Sequence, residues 1–293
     1  MEQIPAKTIL SKGPGNNWFG TDFNMNLYRG CCHGCIYCDS RSECYGIADF
    51  DSVKAKKNAL LLLEQELKNK RKTGVAGMGA MSDPYNPFEK TEFLTRGALE
   101  LLAQYGFGTA IATKSSLIVR DIDLFQKIKR FAPVLLKITV TTADDELCKV
   151  LEPHVCPSTE RLEAVASLAA AGIFTGILLM PVLPFINDTE ENMLAVVRRA
   201  KESGARFIYP AFGMTLRQNQ RDYFFQKLDK HFPGLKQQYV RQFGNQYECR
   251  SPISRALWDR FVQECEKLGM LYQMRDIVSA SRKQYEDGQI SLF

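Results

Sequence analysis

Short apolar segments and longer segments with a helical repeat of apolar positions alternate along most of the chain. The apolar segments predict strands at residues 23–27, 74–78, 109–113, 134–140, 173–180 and 206–212. The helical repeats predict helices at residues 52–70, 92–105, 121–131, 159–171 and 188–203. Nearly all-apolar strands that alternate with helices of ten or more residues indicate a parallel sheet covered by helices. The chain is therefore predicted to be an α/β protein with about six βα units, two fewer than a closed (βα)8 barrel.

This pattern leaves two architectures open, an open barrel and a doubly wound sheet. Before the βα region (residues 21–215), residues 1–20 are predicted to form a loop-rich lead-in, since they contain the sequence Gly-Pro-Gly. Residues 216–286 are predicted to form helices without strands, at 222–230, 235–243 and 254–268 (the last starting at 252 or 254), that pack against the sheet. Residues 287–293 are predicted to form a flexible tail.

Composition narrows the class of protein. The chain is 45% hydrophobic and 24% charged, which is typical of a globular protein, and no apolar run reaches the ~18 residues that a membrane span needs. Four of its nine cysteines lie in one cluster, a distribution that predicts a reducing, cytoplasmic location. The net charge of +5 permits nucleic-acid binding but is too small for a chain of this length to argue for it.

The candidate chemistry is concentrated in one turn-rich segment, Tyr-Arg-Gly-Cys-Cys-His-Gly-Cys-Ile-Tyr-Cys, at residues 28–38. Soft thiolates at this density can hold a metal ion or an iron–sulfur cluster. Cys31, Cys35 and Cys38 form a C-x3-C-x2-C pattern. Cys32 forms a C-x2-C-x2-C pattern with the same two later cysteines, so the spacing leaves both sets open.

The C-x3-C-x2-C pattern, with Tyr37 directly before the last cysteine, resembles the signature of the radical S-adenosylmethionine (SAM) superfamily. The whole string is similar to the branch related to spore photoproduct lyase. The resemblance implies a partial (βα)6 barrel with a C-terminal helical extension, and a [4Fe–4S] cluster held by Cys31, Cys35 and Cys38 rather than Cys32. Three thiolates would leave one iron free to bind SAM. The resemblance also implies cleavage of SAM to a hydrogen-abstracting 5′-deoxyadenosyl radical, with a reductant such as flavodoxin or ferredoxin.

The same resemblance assigns SAM contacts to residues at the predicted strand ends. Ser82 and Asp83 would contact the methionyl group, the serine by a hydrogen bond and the aspartate through the ammonium or by steadying the loop. A local Asp-Pro turn is the alternative for this pair. Lys114, directly after the third strand, would pair with the SAM carboxylate. Thr139, on the fourth strand, would hydrogen-bond the cofactor, although a threonine suits any strand.

Four further residues complete the predicted cofactor site. Arg161, in the first turn of a predicted helix, would place a second cation near the SAM carboxylate, and a surface arginine is the alternative. Met180 and Tyr209 would contact the adenine, and a place in the core is the alternative for both. The backbone around Tyr37 is a further adenine contact in the family.

The reaction itself is less defined. Spore photoproduct lyase uses a cysteine two residues before the serine–aspartate pair to return a hydrogen atom to its product, and this chain has Ala80 there. The resemblance therefore does not extend to lesion splitting by that route. Tyr85 is a candidate for a hydrogen-relay role because it follows the same loop, with simple packing between two prolines as the alternative.

The C-terminal segment resembles the peptide by which bacterial replication and repair proteins bind the sliding clamp. Gln289 would be its polar anchor, and Leu292 and Phe293 its apolar anchors. A frayed terminus that folds back on the domain is the alternative. The peptide favours DNA as the substrate or partner of a clamp-recruited enzyme.

Three hypotheses follow. The first is a radical SAM enzyme that acts on nucleic acid, in DNA repair or modification. The second is a radical SAM enzyme that acts on a protein, peptide or metabolite. The third is a zinc protein without enzymatic activity, with Cys44 or His33 as the fourth ligand, that bridges DNA and partners.

Overall fold

A seven-stranded sheet is the central element of the computed structural model, which describes residues 1–15 and 18–286. Within these residues the strands are β1 (Gln3–Ile4), β2 (Leu10–Gly15), β3 (Thr21–Met25), β4 (Tyr28–Arg29), β5 (Lys54–Lys56), β6 (Val75–Met78), β7 (Gly108–Thr113), β8 (Val134–Thr139), β9 (Phe174–Leu179), β10 (Phe207–Pro210), β11 (Gly213–Thr215) and β12 (Glu248–Arg250). The α-helices are α1 (Ala59–Lys68), α2 (Glu89–Glu92), α3 (Leu94–Tyr105), α4 (Ile122–Lys129), α5 (Asp145–Leu151), α6 (Ser158–Ala170), α7 (Glu190–Glu202), α8 (Gln220–His231), α9 (Leu235–Phe243), α10 (Ser254–Leu268) and α11 (Met274–Glu286).

The central sheet has the order β10-β9-β8-β7-β6-β3-β2. Neighbours from β3 to β10 pair in parallel, and β2 pairs antiparallel with β3 at one edge. The predicted α/β class with six parallel strands is therefore confirmed. Within the described residues β2 and β10 do not pair, so the sheet curls into a partial barrel that stays open.

Alternation along β8 separates an outer core from the barrel interior. Leu136 and Ile138 belong to the outer core, which helices α3, α4, α6 and α7 cover. Leu135 faces inward and packs with Phe19 and Phe207. Each fully buried side chain of this size contributes about 1.5–3 kcal/mol to folding. The inner cluster lies mainly at the first residues of the strands, so it fills the amino-terminal end of the barrel and leaves the carboxyl end for a site.

Two predictions near the N-terminus were wrong in part. Residues 1–20 include the edge strand β2, which tolerates Pro14 because an edge strand does not need every amide. The predicted helix at 52–70 begins only at Ala59, because Lys54–Lys56 forms a strand between β1 and β4. Asn58 then turns the chain with a φ of 54°. The alternation Lys-Ala-Lys, with Ala55 buried, was a strand signal that the longer helical repeat concealed.

The C-terminal region contains the three predicted helices as α8, α9 and α10, but it is not free of strands. β12 lies between α9 and α10 and pairs antiparallel with β11. Helix α10 packs on α7 of the barrel, and Phe261 reaches the outer core. Helix α11 brings Ile277 into the inner cluster, so the C-terminal helices extend the barrel wall and cover its amino-terminal end.

The predicted clamp-binding residues Gln289, Leu292 and Phe293 lie outside the described residues. Among the helices that the structure describes, none combines the length and the apolar character that a bilayer span requires.

Candidate active site

The segment of residues 30–38, called here the cysteine loop, is held by backbone hydrogen bonds to two other segments. The Cys31 amide donates to the Phe50 carbonyl (2.7 Å), and the Ile36 amide donates to the Leu151 carbonyl (2.9 Å). Gly30 has a φ of 80°, and a Cβ there would lie 2.5 Å from the Ser52 carbonyl oxygen. The loop therefore needs glycine at this turn, and its conformation is fixed by neighbouring backbone.

Three of the four thiols in this loop interact with one another. Charge on Cys31 and Cys38 influences the pKa of Cys35, and charge on Cys38 influences that of Cys31. Cys32 responds instead to Asp83 and a second aspartate, and it packs against the outer core rather than with its neighbours. Cys31 and Cys38 therefore lie close enough to Cys35 to affect its pKa, whereas Cys32 packs apart from Cys35 and Cys38.

The electrostatic environment of these thiols combines burial with a nearby cation. Burial raises the pKa of Cys31 to about 12 and raises the pKa of Cys35 and Cys38 as well. Lys114 opposes this effect at the last two thiols. Burial lowers the pKa of Lys114, but the cysteines and nearby carboxylates outweigh it and raise that pKa above its usual value. Lys114 is therefore a half-buried cation whose charge acts on the cysteine loop, and thiolates are the form that binds metal.

The serine–aspartate pair lies between the cysteine loop and the end of β7. Asp83 accepts hydrogen bonds from the Thr113 hydroxyl (2.6 Å) and the Lys114 amide (2.8 Å), and its Oδ2 lies 3.6 Å from His33 Nδ1. It thereby joins the loop that carries Lys114 to the cysteine loop. The Ser82 hydroxyl is buried and has no hydrogen-bond partner among the described residues. An orphaned hydroxyl of this kind points to a missing ligand.

A cavity of about 780 Å³ opens at the carboxyl end of the strands. Five of the predicted site residues line it: Tyr37, Cys38, Lys114, Thr139 and Met180. Its wall also contains the small residues Gly77, Gly79, Ala80, Ala110 and Ala112. Barrel interiors are usually filled by bulky side chains, so these small residues are what creates the space.

Arg161 does not line this cavity, and its predicted contact with SAM does not fit its position. The side chain is fully buried, with Nη1 2.5 Å from Glu152 Oε2 and 3.0 Å from the Thr139 carbonyl oxygen. Glu152 also accepts a hydrogen bond from the Tyr37 hydroxyl. Because the first turn of α6 points inward, Arg161 binds Glu152, which in turn binds Tyr37 of the cysteine loop. Arg161 therefore stabilises this loop instead of reaching the cofactor.

Two predicted tyrosines also lie away from the cavity. The Tyr85 hydroxyl donates to Asp121 (3.0 Å) in a buried site, and Asp121 is ion-paired with Arg96. This partner on the far side of the loop does not fit the predicted hydrogen-relay role. Tyr209 packs edge-on against Trp18 and Phe19. Its apolar contacts are those of a core residue, which was the alternative for this position.

Sequence reasoning missed Lys137, which lies in the middle of the apolar strand β8. Its side chain is only 2% exposed, lines the cavity, and places Nζ 4.6 Å from the centre of the Phe19 ring. Burial lowers the pKa of Lys137 to about 7, with no charged group offsetting the effect. A lysine inside a strand that is otherwise apolar was the available signal.

The zinc alternative gains no support from this geometry. Cys44 Sγ accepts a hydrogen bond from Arg217 (3.1 Å), and His33 faces Asp83, so both candidate fourth ligands are engaged elsewhere. Within residues 1–15 and 18–286, no three His, Cys, Asp or Glu side chains are gathered closely enough to hold one ion, and this applies to Cys31, Cys35 and Cys38 as well as to Cys44 and His33.

The partial βα barrel carries its cysteine loop at the open carboxyl end of the sheet. The family model of the radical SAM superfamily matches residues 25–205, and the chain belongs to this family. It is therefore an enzyme, and the family implies a [4Fe–4S] cluster and SAM.

An uncharacterized protein from Mycobacterium tuberculosis is 29% identical over 245 residues, which span 81% of this chain and 72% of the relative. An uncharacterized protein from Methanocaldococcus jannaschii is 33% identical over 174 residues, covering 58% of this chain and 64% of the relative.

Solved structures show the same fold. Spore photoproduct lyase complexed with dinucleoside spore photoproduct superposes with a TM-score of 0.64 at 14% identity, covering 91% of this chain and 79% of the lyase. A mutant of that enzyme with bound AdoMet and the dinucleoside has the same TM-score. A radical SAM methyltransferase from Kitasatospora setae, solved with its tryptophan substrate, gives 0.55 at 14% identity over 84% of this chain and 51% of that chain.

The residues present fit the cofactors that the family implies. Cys31, Cys35 and Cys38 supply three soft ligands, and Lys114 supplies a half-buried cation suited to a carboxylate. The orphaned Ser82 hydroxyl supplies an unused hydrogen-bonding group. All three features lie at the same end of the barrel.

Proposed function

We propose that this enzyme holds a [4Fe–4S] cluster at Cys31, Cys35 and Cys38 and cleaves SAM there to act on nucleic acid. One observation carries the proposal. Cys38 and the half-buried cation Lys114 line a cavity large enough for a small-molecule ligand, and Cys31 and Cys38 lie close enough to Cys35 to affect its pKa.

Each residue of the candidate site has a distinct role in this proposal. Lys114 pairs with the carboxylate of SAM, and Asp83 orients Lys114 by binding its backbone amide. The Ser82 hydroxyl forms a hydrogen bond with the methionyl group of SAM. Thr139 and Met180 line the cavity wall, where they bind the nucleoside part of SAM. Thr139 ends β8 and Met180 directly follows the adjacent strand β9, which supports this assignment.

The chemistry that these groups would support follows from the family. When bound, the cluster and SAM supply one electron and a 5′-deoxyadenosyl radical that removes a hydrogen atom from the substrate. The protein contributes orientation, because Lys114 and Ser82 fix one end of SAM. It also excludes water, because the Leu178 and Met180 side chains line the cavity wall. The electron comes from a reductant such as flavodoxin or ferredoxin.

Nucleic acid is the proposed substrate class. The fold covers most of a spore photoproduct lyase solved with a dinucleoside spore photoproduct, and the two lysines that line the cavity, Lys114 and Lys137, place positive charge in it. Ala80 lines the cavity as well, so a thiol does not occupy the position from which the resembled lyase returns hydrogen. The reaction is therefore proposed as modification or repair by a route other than that thiol. The C-terminal clamp peptide and the cytoplasmic location stay predictions.

A second candidate substrate is an amino acid or peptide. The methyltransferase with bound tryptophan shares the fold, and this likeness of fold is the support for the alternative. Both candidates use the same cluster and SAM site, so one experiment separates them.

The test is anaerobic reconstitution with iron and sulfide, followed by reduction with dithionite and measurement of 5′-deoxyadenosine. We expect about four irons per chain and 5′-deoxyadenosine that forms only with SAM and reductant. Addition of single- or double-stranded DNA should raise its yield, whereas a mixture of peptides should not.

Reconstituted protein that forms no 5′-deoxyadenosine under any condition would overturn the proposed chemistry. Formation that responds to peptides and not to DNA would keep the chemistry and replace the substrate class.

A further inference from the structure

The position of Lys137 in the barrel is defined by the strand register. On β8, the inward-facing residues are Leu135, Lys137 and Thr139. Leu135 belongs to the inner cluster that fills the amino-terminal end, and Thr139 lines the cavity near its mouth. Two residues along a strand span about 7 Å. Lys137 is therefore the floor of the cavity, one layer below the level proposed for SAM.

The neighbours of Lys137 leave space around its ammonium group. In the register of the sheet it lies between Ala112 on β7 and Gly176 on β9. Neither neighbour carries a charge or a polar side chain. Phe19 lies beneath the ammonium at 4.6 Å, so a weak cation–π contact is the sole interaction that the described residues give this charge. Free space remains on the side of the cavity.

A buried ammonium without a carboxylate partner is costly, and proteins seldom keep one without a function. The other charged side chains of the cavity do not supply a counter-charge to Lys137. Asp39 binds the Tyr45 and Thr215 hydroxyls. Glu248 is exposed at the rim. Lys114 is a second cation, assigned here to the SAM carboxylate, and SAM with its sulfonium and ammonium groups carries no net negative charge.

We infer that Lys137 is a substrate-binding residue whose ammonium group binds a backbone phosphate of the nucleic-acid substrate at the floor of the barrel cavity. This inference rests on the proposed function, because nucleic acid is the class that supplies a phosphate with every nucleotide. The phosphate would provide the missing counter-charge and fix the depth to which the substrate enters. The reacting sugar or base would then lie in the layer between Lys137 and SAM.

The test compares two dinucleotides that differ in one charge. Thymidylyl-(3′→5′)-thymidine carries one phosphodiester, and its methylphosphonate analogue is neutral. Both are titrated by calorimetry into the reconstituted holoenzyme with saturating SAM and without reductant. We expect wild type to bind the charged probe about 10-fold more tightly or better. Lys137→Met should bind both probes equally, with a melting temperature equal to or above that of wild type.

Lys127→Met is the matched control, because Lys127 is exposed on α4 and the substitution removes the same charge. It should keep the 10-fold preference. Equal binding of both probes by wild type would overturn the inference and leave the nucleic-acid substrate in place. Binding of neither probe would overturn both this inference and that substrate class, while 5′-deoxyadenosine formation would still decide the radical chemistry. A melting temperature several degrees lower in Lys137→Met would assign the lysine a structural role instead.

Discussion

Two regions of the barrel each bury a cation, but within the described residues only one of the two cations has a carboxylate partner. Behind the cysteine loop, Arg161 is fully buried and bound by Glu152, and it also donates to the Cys156 and Thr139 carbonyls and to the Cys148 sulfur. Inside the barrel, Lys137 is as deeply buried, but its neighbours on both strands are the uncharged Ala112 and Gly176.

The difference separates a structural charge from one that awaits a ligand. Burying an ion is expensive, and a precise carboxylate pair with added hydrogen bonds offsets the expense within the protein. Arg161 has such a pair, so its charge stabilises the segment that holds the cysteine loop. Lys137 lacks one, so its charge weakens the folded protein until a ligand supplies the anion.

The largest expected effect of a substitution is at the paired cation. Arg161→Met should lower the free energy of unfolding by about 3–5 kcal/mol, because it leaves the Glu152 carboxylate buried without its partner. Urea denaturation measures this change.

Arg198→Met provides the comparison, since Arg198 pairs with Glu264 at 2.6 Å but is half exposed. Its loss should change stability by about 0–1 kcal/mol. Similar effects of the two substitutions would contradict the structural role of Arg161.

A smaller effect of opposite sign is expected at the unpaired cation. Lys137→Met should raise the free energy of unfolding by about 1–3 kcal/mol near pH 6, because an apolar side chain removes the desolvation of the charge. The pKa of Lys137 is lowered to about 7 in the folded protein, against about 10.4 in the unfolded chain. The charge therefore destabilises the protein fully below pH 7, and the difference between variant and wild type should vanish as the pH rises from about 7 to about 10.

Urea titrations of both proteins from pH 6 to pH 10 measure this difference. Subtracting the two curves removes the contribution of the other titrating groups near the cavity, including Asp39, Lys114, Glu248 and Arg250. A difference that is constant with pH, or a variant less stable than wild type at pH 6, would mean that Lys137 has a counter-charge in the folded protein.

The sequence predicts much of the fold because the βα pattern is strong where strands are buried on both sides. The six parallel strands and the cysteine loop follow from local patterns of apolar residues, glycines and thiols. The edge strand β2 and strand β5 were missed because short strands with exposed residues carry little periodicity. The strand order and the open barrel depend on long-range pairing, which periodicity does not encode.

The place of an individual residue in the fold follows from the sequence where a short motif fixes it, and does not follow where its partners are remote. Lys114 follows directly from its place after β7. The position of Arg161 depends on Glu152, which lies on a separate loop, and nothing in the local sequence states that they pair. The phenol of Tyr85 likewise bonds to Asp121, 36 residues away. Lys137 was not predicted as a site residue because an apolar strand is normally interpreted as part of the core.

The most direct test of the central claim compares Cys31→Ala with Cys32→Ala after anaerobic reconstitution. The two substitutions remove adjacent thiols, of which Cys31 is the one whose charge affects the pKa of Cys35. Iron content and the electron paramagnetic resonance spectrum of the dithionite-reduced protein, with and without SAM, report the cluster directly. The account predicts that Cys32→Ala retains about four irons and a reduced-cluster signal that SAM alters, and that Cys31→Ala loses both. A Cys31→Ala protein with a full, SAM-responsive cluster would contradict it.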